Sequence, residues 1–271
     1  MIDQLVAFVR NSVRSGAQPT GYEPLTFTGD YASWAEAQRD AIGYEADVIL
    51  ERTRAALLQV KRGEAVFERD SVLFARPQYP FPVVAGLLRT AVASNGCLRV
   101  LDFGGSLGTT YFQCRPLVAV AANVEWSVVE QPAHVACGRQ YFADAELRFY
   151  ADVAECFVER QPDTLLLSSV LQYLPAPYQT LRQLLAHGWR HVIIDRTSFL
   201  ASERDRLTVQ HVPESIYPAS YPAWFLSERR LTELITDAGF TLVTDFAGTD
   251  HGAPADEPAY FKGFIYECRT E

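Results

Sequence analysis

Short apolar runs recur along the second half of the chain at the length and spacing typical of buried strands. They predict strands at residues 97–103, 126–130, 147–151, 164–170, 191–195, 241–246 and 261–268. A helical pattern precedes the first strand, at residues 82–94, and others lie between most of the strands, at residues 132–141, 178–187 and 227–238. Strands that alternate with helices predict an α/β fold with a doubly wound, seven-stranded, mostly parallel sheet. Only a loop, residues 247–259, joins the last two strands, so we expect them to form an antiparallel hairpin.

The first part of the chain has a helical rather than a strand pattern. Ser33 followed three residues later by Glu36 forms a capping box, which predicts that a helix begins there. Gly43 is expected to divide this helical region into two pieces. We therefore predict a helical N-terminal extension over residues 1–75 that caps a pocket, followed by the α/β domain over residues 76–271.

Composition excludes several classes of function. The 271 residues carry a formal net charge of -9, and no cluster of Lys and Arg reverses that charge locally, so a nucleic-acid partner is not expected. No apolar stretch is long enough for a secretion signal or a membrane span, which predicts a cytoplasmic location. The five cysteines are scattered and form no CxxC pair, so neither a disulfide framework nor a metal site is predicted. The sequence leaves the oligomeric state open.

A glycine-containing loop follows the first predicted strand, from Asp102 to Thr110. In open α/β sheets this position borders the ligand crevice. A dinucleotide fingerprint would place glycines at positions 104, 106 and 109, but the chain has Ser106 and Thr109 there. The loop therefore argues against NAD or FAD, and a tight turn without any ligand is the alternative.

The stretch from Val100 to Gly108 resembles the first motif of class I S-adenosylmethionine-dependent methyltransferases, in which an acidic residue is followed by glycines two and six places later. The resemblance implies a Rossmann-like fold and S-adenosylmethionine (SAM) as cofactor. Glu130 ends the second strand, where a carboxylate can accept from both ribose hydroxyls. The family also implies that Asp152 reaches the adenine amino group while Val153 covers the ring. The predicted cofactor-binding residues are Asp102, Gly104, Gly105, Ser106, Gly108, Glu130, Gln131, Asp152, Val153, Ser168 and Ser169.

Further segments extend the resemblance over much of the chain. Residues 231–243 are similar to the last helix, AGF turn and following strand of the methyltransferases. The segments GYEPLTFTGDYASWAEA, GEAVFERDSVLF, LDFGGSLGTTY, IIDRTSF and VQHVPESIYPASYPAWFL together resemble a family of bacterial methyltransferases often associated with surface-polysaccharide loci. This resemblance implies O- or N-methylation of a small-molecule or carbohydrate-like acceptor and a role in polysaccharide biosynthesis.

Three residues are candidates for the chemistry of methyl transfer, which needs an aligned acceptor and, for a hydroxyl, removal of a proton. Tyr173 follows the fourth strand, beside the expected position of the reactive methyl group. Asp195 ends the fifth strand and could act as a base. His211 lies in the segment 199–225, whose many aromatic residues and prolines predict a lid, and could titrate near neutral pH. A purely structural role remains the alternative for each.

Acceptor binding is predicted for residues on the same edge of the sheet and in the predicted lid. Arg196 could clamp an anion, or could form a structural ion pair with Asp195. Aromatic lid residues could stack on a sugar or an aromatic acceptor, although packing of the lid explains them nearly as well. The predicted acceptor-binding residues are Gln172, Arg196, Tyr217, Tyr221 and Trp224.

Two other functions remain open at this stage. A nicotinamide-dependent oxidoreductase would share the sheet and the ribose-binding acid, although the broken fingerprint argues against it. A non-catalytic protein that works as a scaffold in a biosynthetic complex is the second alternative. Because one fold supports many functions, the choice depends on the loop and the acids.

Overall fold

A computed structural model describes residues 25–42, 46–69, 71–213 and 219–269, with the backbone alone for residues 46–48. The helices are α1 Trp34–Asp40, α2 Ala46–Lys61, α3 Phe81–Ala93, α4 Thr109–Val118, α5 Pro132–Tyr141, α6 Val153–Glu159, α7 Pro177–Leu185 and α8 Glu228–Asp237, with a 3₁₀ helix at Leu171–Tyr173. The strands are β1 Thr26–Thr28, β2 Phe67–Arg69, β3 Val72–Phe74, β4 Cys97–Phe103, β5 Asn123–Val129, β6 Leu147–Tyr150, β7 Thr164–Ser168, β8 His191–Leu200, β9 Arg206–Val212, β10 Ala219–Phe225, β11 Phe240–Ala247 and β12 Ala259–Cys268. Within these ranges, no helix has the length and apolar character to cross a membrane.

The main sheet has seven strands in the order β11-β12-β8-β7-β4-β5-β6. Strands β4 to β8 pair in parallel, whereas β12 is antiparallel to both β8 and β11. The predicted α/β, Rossmann-like, doubly wound sheet and its antiparallel C-terminal hairpin are therefore confirmed. The chain runs outward from β4 to β6 and then returns to β7. The carboxyl ends of β4 and β7 thus flank a topological switch point, where ligands bind in open α/β sheets.

Both faces of the sheet are covered, as a parallel sheet requires. Helices α2 to α5 pack on one face, through residues such as Leu87 and Tyr111, against Val100 and Trp126. Helices α6 to α8 pack on the other face, where Leu181 and Ile235 join the same cluster as Leu101, Leu165 and Leu167. Strand β7 is buried along its whole length, which explains its nearly continuous apolar sequence. The rigid centre of the sheet therefore supports the ends of β4 and β7.

A second, three-stranded antiparallel sheet of order β1-β9-β10 lies outside the main sheet. The described part of the segment 199–225 is the end of β8 together with the β9–β10 pair, and β1 from the N-terminal region completes the sheet. The aromatic residues and prolines of this segment did not predict strands, whereas its described part has regular strand structure; the lid stays a prediction. Pro222 is tolerated because β10 is an edge strand, where a missing N–H breaks no pairing.

The N-terminal region combines helices with short strands. Ser33 caps α1 as predicted, since its hydroxyl accepts a hydrogen bond from the Glu36 amide at 3.3 Å. Helix α1 ends at Asp40 and α2 begins at Ala46, so the predicted break occurs, although Gly43 itself lies outside the described residues. Strands β2 and β3 form a hairpin, which the prediction of a purely helical extension did not include.

Candidate active site

The loop between β4 and α4 turns sharply at the switch point, and its glycines are required by the packing. Gly104 and Gly108 have φ angles of 72° and 93°, in the left-handed region. A Cβ atom on Gly104 would lie 2.4 Å from Val170 Cγ2, and one on Gly105 would lie 2.5 Å from Asp102 Cγ. Ser106 adopts a φ of 54° although it is not glycine. Packing alone therefore accounts for the glycines, and evidence for a ligand must come from the side chains around them.

Asp102 lies beneath this loop and is completely buried. Its Oδ2 accepts a hydrogen bond from Trp126 Nε1 at 3.1 Å. Its Oδ1 accepts no hydrogen bond from any described residue. Burial raises the pKa of the Asp102 carboxyl from 3.8 to about 7, against the lowering effect of the Trp126 hydrogen bond. The described part of the chain thus leaves a buried acceptor without a donor, which is costly unless a ligand or water satisfies it.

Glu130 lies on the other side of the loop, directly after β5. Its Oε1 accepts from the Ser106 amide at 3.3 Å, and its Oε2 accepts from the Gln131 amide at 2.6 Å. These bonds hold the carboxylate at the carboxyl end of the strand. Because each carboxylate oxygen has two lone pairs, both oxygens keep acceptor capacity for a ligand.

Asp152 and Val153 follow the next strand, β6. Asp152 is the N-cap of α6, and its Oδ1 accepts from the Glu155 amide at 2.7 Å. Val153 packs against the buried cluster on that face of the sheet. The Glu130 amide donates to Tyr150 O at 3.2 Å, so the ends of β5 and β6 are adjacent. The predicted ribose and adenine residues therefore lie at neighbouring strand ends, and Asp152 also has a capping role.

The ends of β7 and β8 carry a second polar cluster. Ser168 Oγ donates to Asp195 Oδ2 at 3.1 Å. Gln172 is 1% exposed, and its Nε2 donates to Ser169 Oγ at 3.1 Å and to Arg196 O at 3.0 Å. Gln172 Oε1 has no hydrogen-bond partner among the described residues. Burial raises the pKa of Asp195, while Arg196 and Ser168 act in the opposite direction. The structure thus brings these predicted residues together.

Arg196 belongs to a chain of ion pairs that the sequence indicated only in part. Its Nε lies 3.4 Å from Asp195 Oδ2, and its Nη1 lies 3.6 Å from Asp250 Oδ2. Asp250 Oδ1 lies in turn 3.6 Å from Arg69 Nη1. Arg196 therefore forms the ion pair with Asp195 that was the alternative to an anion clamp. The contacts through Asp250 and Arg69 also connect β8 to the β11–β12 loop and to the N-terminal hairpin.

Tyr173 connects the main sheet to the second sheet. Its hydroxyl donates to Gln210 Oε1 at 3.0 Å, and Gln210 Nε2 donates to Tyr221 Oη at 2.9 Å. The rings of Tyr173 and Tyr221 meet edge to face at 5.5 Å between centroids. Gln210 is 2% exposed. Two of the predicted residues, Tyr173 and Tyr221, are therefore joined by a buried glutamine that sequence reasoning missed.

The side chains of His211 and Gln210 lie on opposite faces of the second sheet, because neighbouring residues in a strand point to opposite sides. His211 Nε2 is 2.8 Å from Thr28 Oγ1. Ser220, its cross-strand neighbour, accepts from the Ile42 amide just after α1 at 2.8 Å. The His211 side chain therefore faces α1 and does not join Tyr173 and Gln210.

Trp224 and Tyr217 are the other two predicted acceptor-binding residues of the segment 199–225. Trp224 packs between two buried clusters, and its indole Nε1 donates to Leu174 O at 3.1 Å. Tyr217 lies outside the described residues. Trp224 therefore has a packing role in the structure, as the alternative interpretation of the lid aromatics allowed.

Sequence reasoning also missed Glu68, which lies within the segment GEAVFERDSVLF. The Glu68 side chain contacts Thr109, the first residue of α4, across 41 positions of the sequence. An acid directly after the apolar pair Val66 and Phe67 is the available signal, and it does not indicate the partner.

Comparisons with known proteins were made at the levels of sequence and of structure. No protein-family model matches the chain, and no curated protein matches it. The N-terminal domain of EvdMO1, solved with S-adenosylhomocysteine (SAH) and D-fucose, is 13% identical, with 84% of this chain and 98% of that chain covered and a TM-score of 0.49. Magnesium protoporphyrin IX methyltransferase from Synechocystis PCC 6803, with bound SAM, is 15% identical, covering 69% and 79% with a TM-score of 0.44. The 1,6-didemethyltoxoflavin-N1-methyltransferase from Burkholderia thailandensis, with bound 1,6-didemethyltoxoflavin and SAH, is 16% identical, with 90% of this chain and 93% of that chain covered and a TM-score of 0.44.

Proposed function

We propose that this protein is a SAM-dependent methyltransferase that acts on a small-molecule or carbohydrate-like acceptor. The observation that carries the proposal is the set of carboxylates at the switch point. Asp102 and Glu130 border the glycine loop, and no described residue donates to Asp102 Oδ1. Such a site suits a ligand that brings hydroxyl donors and positive charge, as SAM does, and disfavours the pyrophosphate of a dinucleotide.

The residues that would hold the cofactor follow from their positions. Glu130 would accept from the two ribose hydroxyls with the lone pairs that its backbone contacts leave. Asp152 would accept from the adenine amino group, and Val153 would cover the ring. The backbone of residues 104–108 would approach the methionine part, as the family resemblance implies.

When bound, SAM supplies a methyl group on a positively charged sulfur. The acceptor oxygen or nitrogen forms a bond to the methyl carbon while the carbon–sulfur bond breaks, and the acceptor loses a proton. The protein must therefore align the acceptor, exclude water and take up that proton. Tyr173, held by Gln210, would orient the acceptor. Asp195 would act as the base, because burial raises its pKa and so increases its proton affinity.

The direct test is calorimetric titration of the purified protein with SAM, SAH and NAD. We expect saturable micromolar binding of SAM and SAH and no saturable binding of NAD. Binding of NAD alone would favour a nicotinamide-dependent oxidoreductase. Binding of none of the three, with or without a panel of candidate acceptors, would favour a non-catalytic scaffold.

The proposed base makes a separate prediction. Asp195→Asn should lower kcat for a hydroxyl acceptor by about a hundredfold or more, the usual size of a general-base contribution, while the Kd for SAH changes little. The measurement is transfer of a radiolabelled methyl group to an acceptor selected from a panel of sugars and hydroxylated aromatic compounds. His211→Gln is the matched control, since His211 faces α1, and it should keep nearly full activity. A large loss in the His211 variant with none in the Asp195 variant would assign the base to His211.

A further inference from the structure

Strand β8 has a β-bulge at the proposed base. The register between β8 and β12 shifts there, so that Asp195 and Arg196 together lie opposite Gly263. Arg196 has a φ of 52°, in the left-handed region that favours glycine. A bulge bends its strand and changes the direction of its side chains, and bulges are common next to active sites. The bulge therefore determines the direction in which the Asp195 carboxylate points.

The neighbouring strand, β7, ends beside this bulge. The last pair of the two strands joins Ser168 to Asp195. Beyond that pair, the Ser169 amide donates to Asp195 O at 2.9 Å, and Ser169 also has a left-handed φ, of 53°. Two residues other than glycine thus adopt this conformation at adjacent strand ends. Such conformations persist only where surrounding contacts hold them.

The side chain of Gln172 connects these two left-handed residues. Its Nε2 donates to Ser169 Oγ at 3.1 Å and to Arg196 O at 3.0 Å. A carbonyl oxygen can only accept, so the amide nitrogen must face Arg196 O, and both of its hydrogens are used. No described residue donates to Gln172 Oε1, although the side chain is 1% exposed. An apolar side chain would avoid this unsatisfied oxygen, but it would leave both acceptors without their donor.

We propose that Gln172 is a positioning residue that holds the bulge of β8 and thereby directs the Asp195 carboxylate toward the acceptor. Ser168 and Arg196 contact this carboxylate directly, whereas Gln172 acts on it through the backbone at the two strand ends. The sequence predicted that Gln172 binds the acceptor, and this inference gives it a part in the transfer step through the base. The inference rests on the proposed function.

The test is Gln172→Met, which replaces the amide with an unbranched apolar side chain of similar length. It should lower kcat by about tenfold to a hundredfold, the range expected for a misplaced catalytic group, while the Kd for SAH and the acceptor KM stay nearly constant. In an Asp195→Asn background it should cause almost no further loss, because residues that act as a unit are not additive. Gln161→Met is the control and should leave kcat unchanged in both backgrounds, since Gln161 is exposed and its amide donates to Phe157 O.

Amide hydrogen exchange gives a second measurement, on the protein without any ligand. Gln172→Met should speed exchange of the Ser169 amide by about tenfold or more, because its bond to Asp195 O opens more often when the bulge is not held. Exchange of the Leu165 amide, near the start of the same buried strand, should stay unchanged.

The outcomes separate this inference from the proposed function. If the unaltered protein does not bind SAH, the proposed function fails. If it binds SAH, and Gln172→Met keeps full kcat or lowers kcat equally in both backgrounds, the proposed function stands and this inference fails. Unchanged exchange at Ser169, or SAH binding weakened as much as kcat, would also overturn it. If Gln172→Met does not fold, Gln172→Asn, whose amide is one methylene shorter, is judged by the same criteria.

Discussion

Replacing Glu130 with alanine is expected to weaken SAH binding by at least about a hundredfold. The variant loses a charged acceptor for two ribose hydroxyls, and each such hydrogen bond contributes about 1.5 to 3 kcal/mol, where about 1.4 kcal/mol corresponds to a tenfold change. It also loses the contact with the Ser106 amide that connects the end of β5 to the glycine loop. The measurement is the calorimetric Kd for SAH.

Glu125→Ala is the matched control for this experiment. Glu125 lies on the same strand near its amino end, where its side chain bonds that of Asn123. We expect this variant to bind SAH with nearly the affinity of the unaltered protein. If Glu130→Ala binds as tightly as the control, Glu130 does not hold the ribose, whatever ligand the protein binds.

Asp102→Asn is expected to change how stability depends on pH. The folded protein keeps the Asp102 proton up to about pH 7, because burial raises the pKa from 3.8 to about 7. The unfolded chain releases this proton at much lower pH. The folded state thus binds more protons between these values, and the stability of the unaltered protein falls as pH rises through this window. Between pH 5 and pH 8 the Asp102 contribution should fall by about 2 to 3 kcal/mol, and the variant lacks this loss.

Urea denaturation at pH 5 and at pH 8 measures the effect. As pH rises, the free energy of unfolding of the variant should increase relative to that of the unaltered protein. The same substitution at exposed Asp237, the last residue of α8, should produce no such shift. An identical pH dependence in all three proteins would mean that Asp102 is already ionised in the folded protein at pH 5.

The second sheet illustrates a limit of prediction from the sequence. Residues 206–212 and 219–225 pair as strands, which the prolines and aromatic residues of this segment did not predict. Strand β9 also pairs with β1, about 180 positions earlier in the sequence, through contacts such as that between Phe27 and Gln210. Local patterns contain no information about a partner so distant. A proline indicates a loop or an edge strand, and the sequence alone does not show which strands lie at an edge.

In the candidate site, too, the sequence predicted the positions of residues but not their contacts. Asp102, Glu130 and Asp152 could be placed at strand ends from the sequence, because the carboxyl ends of parallel strands share one edge of the sheet. Which side chains meet at that edge depends on the packing. Glu68 reaches Thr109 from the N-terminal hairpin, and His211 turns away from Tyr173 because of its position in β9.

The sequence by itself determined the seven strands of the main sheet, the C-terminal hairpin, the start of α1 and the loop at the switch point. These features follow from apolar periodicity, capping and turn residues, which act over a few neighbouring positions. Only the tertiary structure decided that α2 and the β2–β3 hairpin support the loop and that Gln210 joins Tyr173 to Tyr221. It also decided that Asp102 Oδ1 has no donor among the residues that the structure describes. Burial and contacts between distant segments arise from the packing of the whole chain, and the pKa of Asp102 depends on that packing.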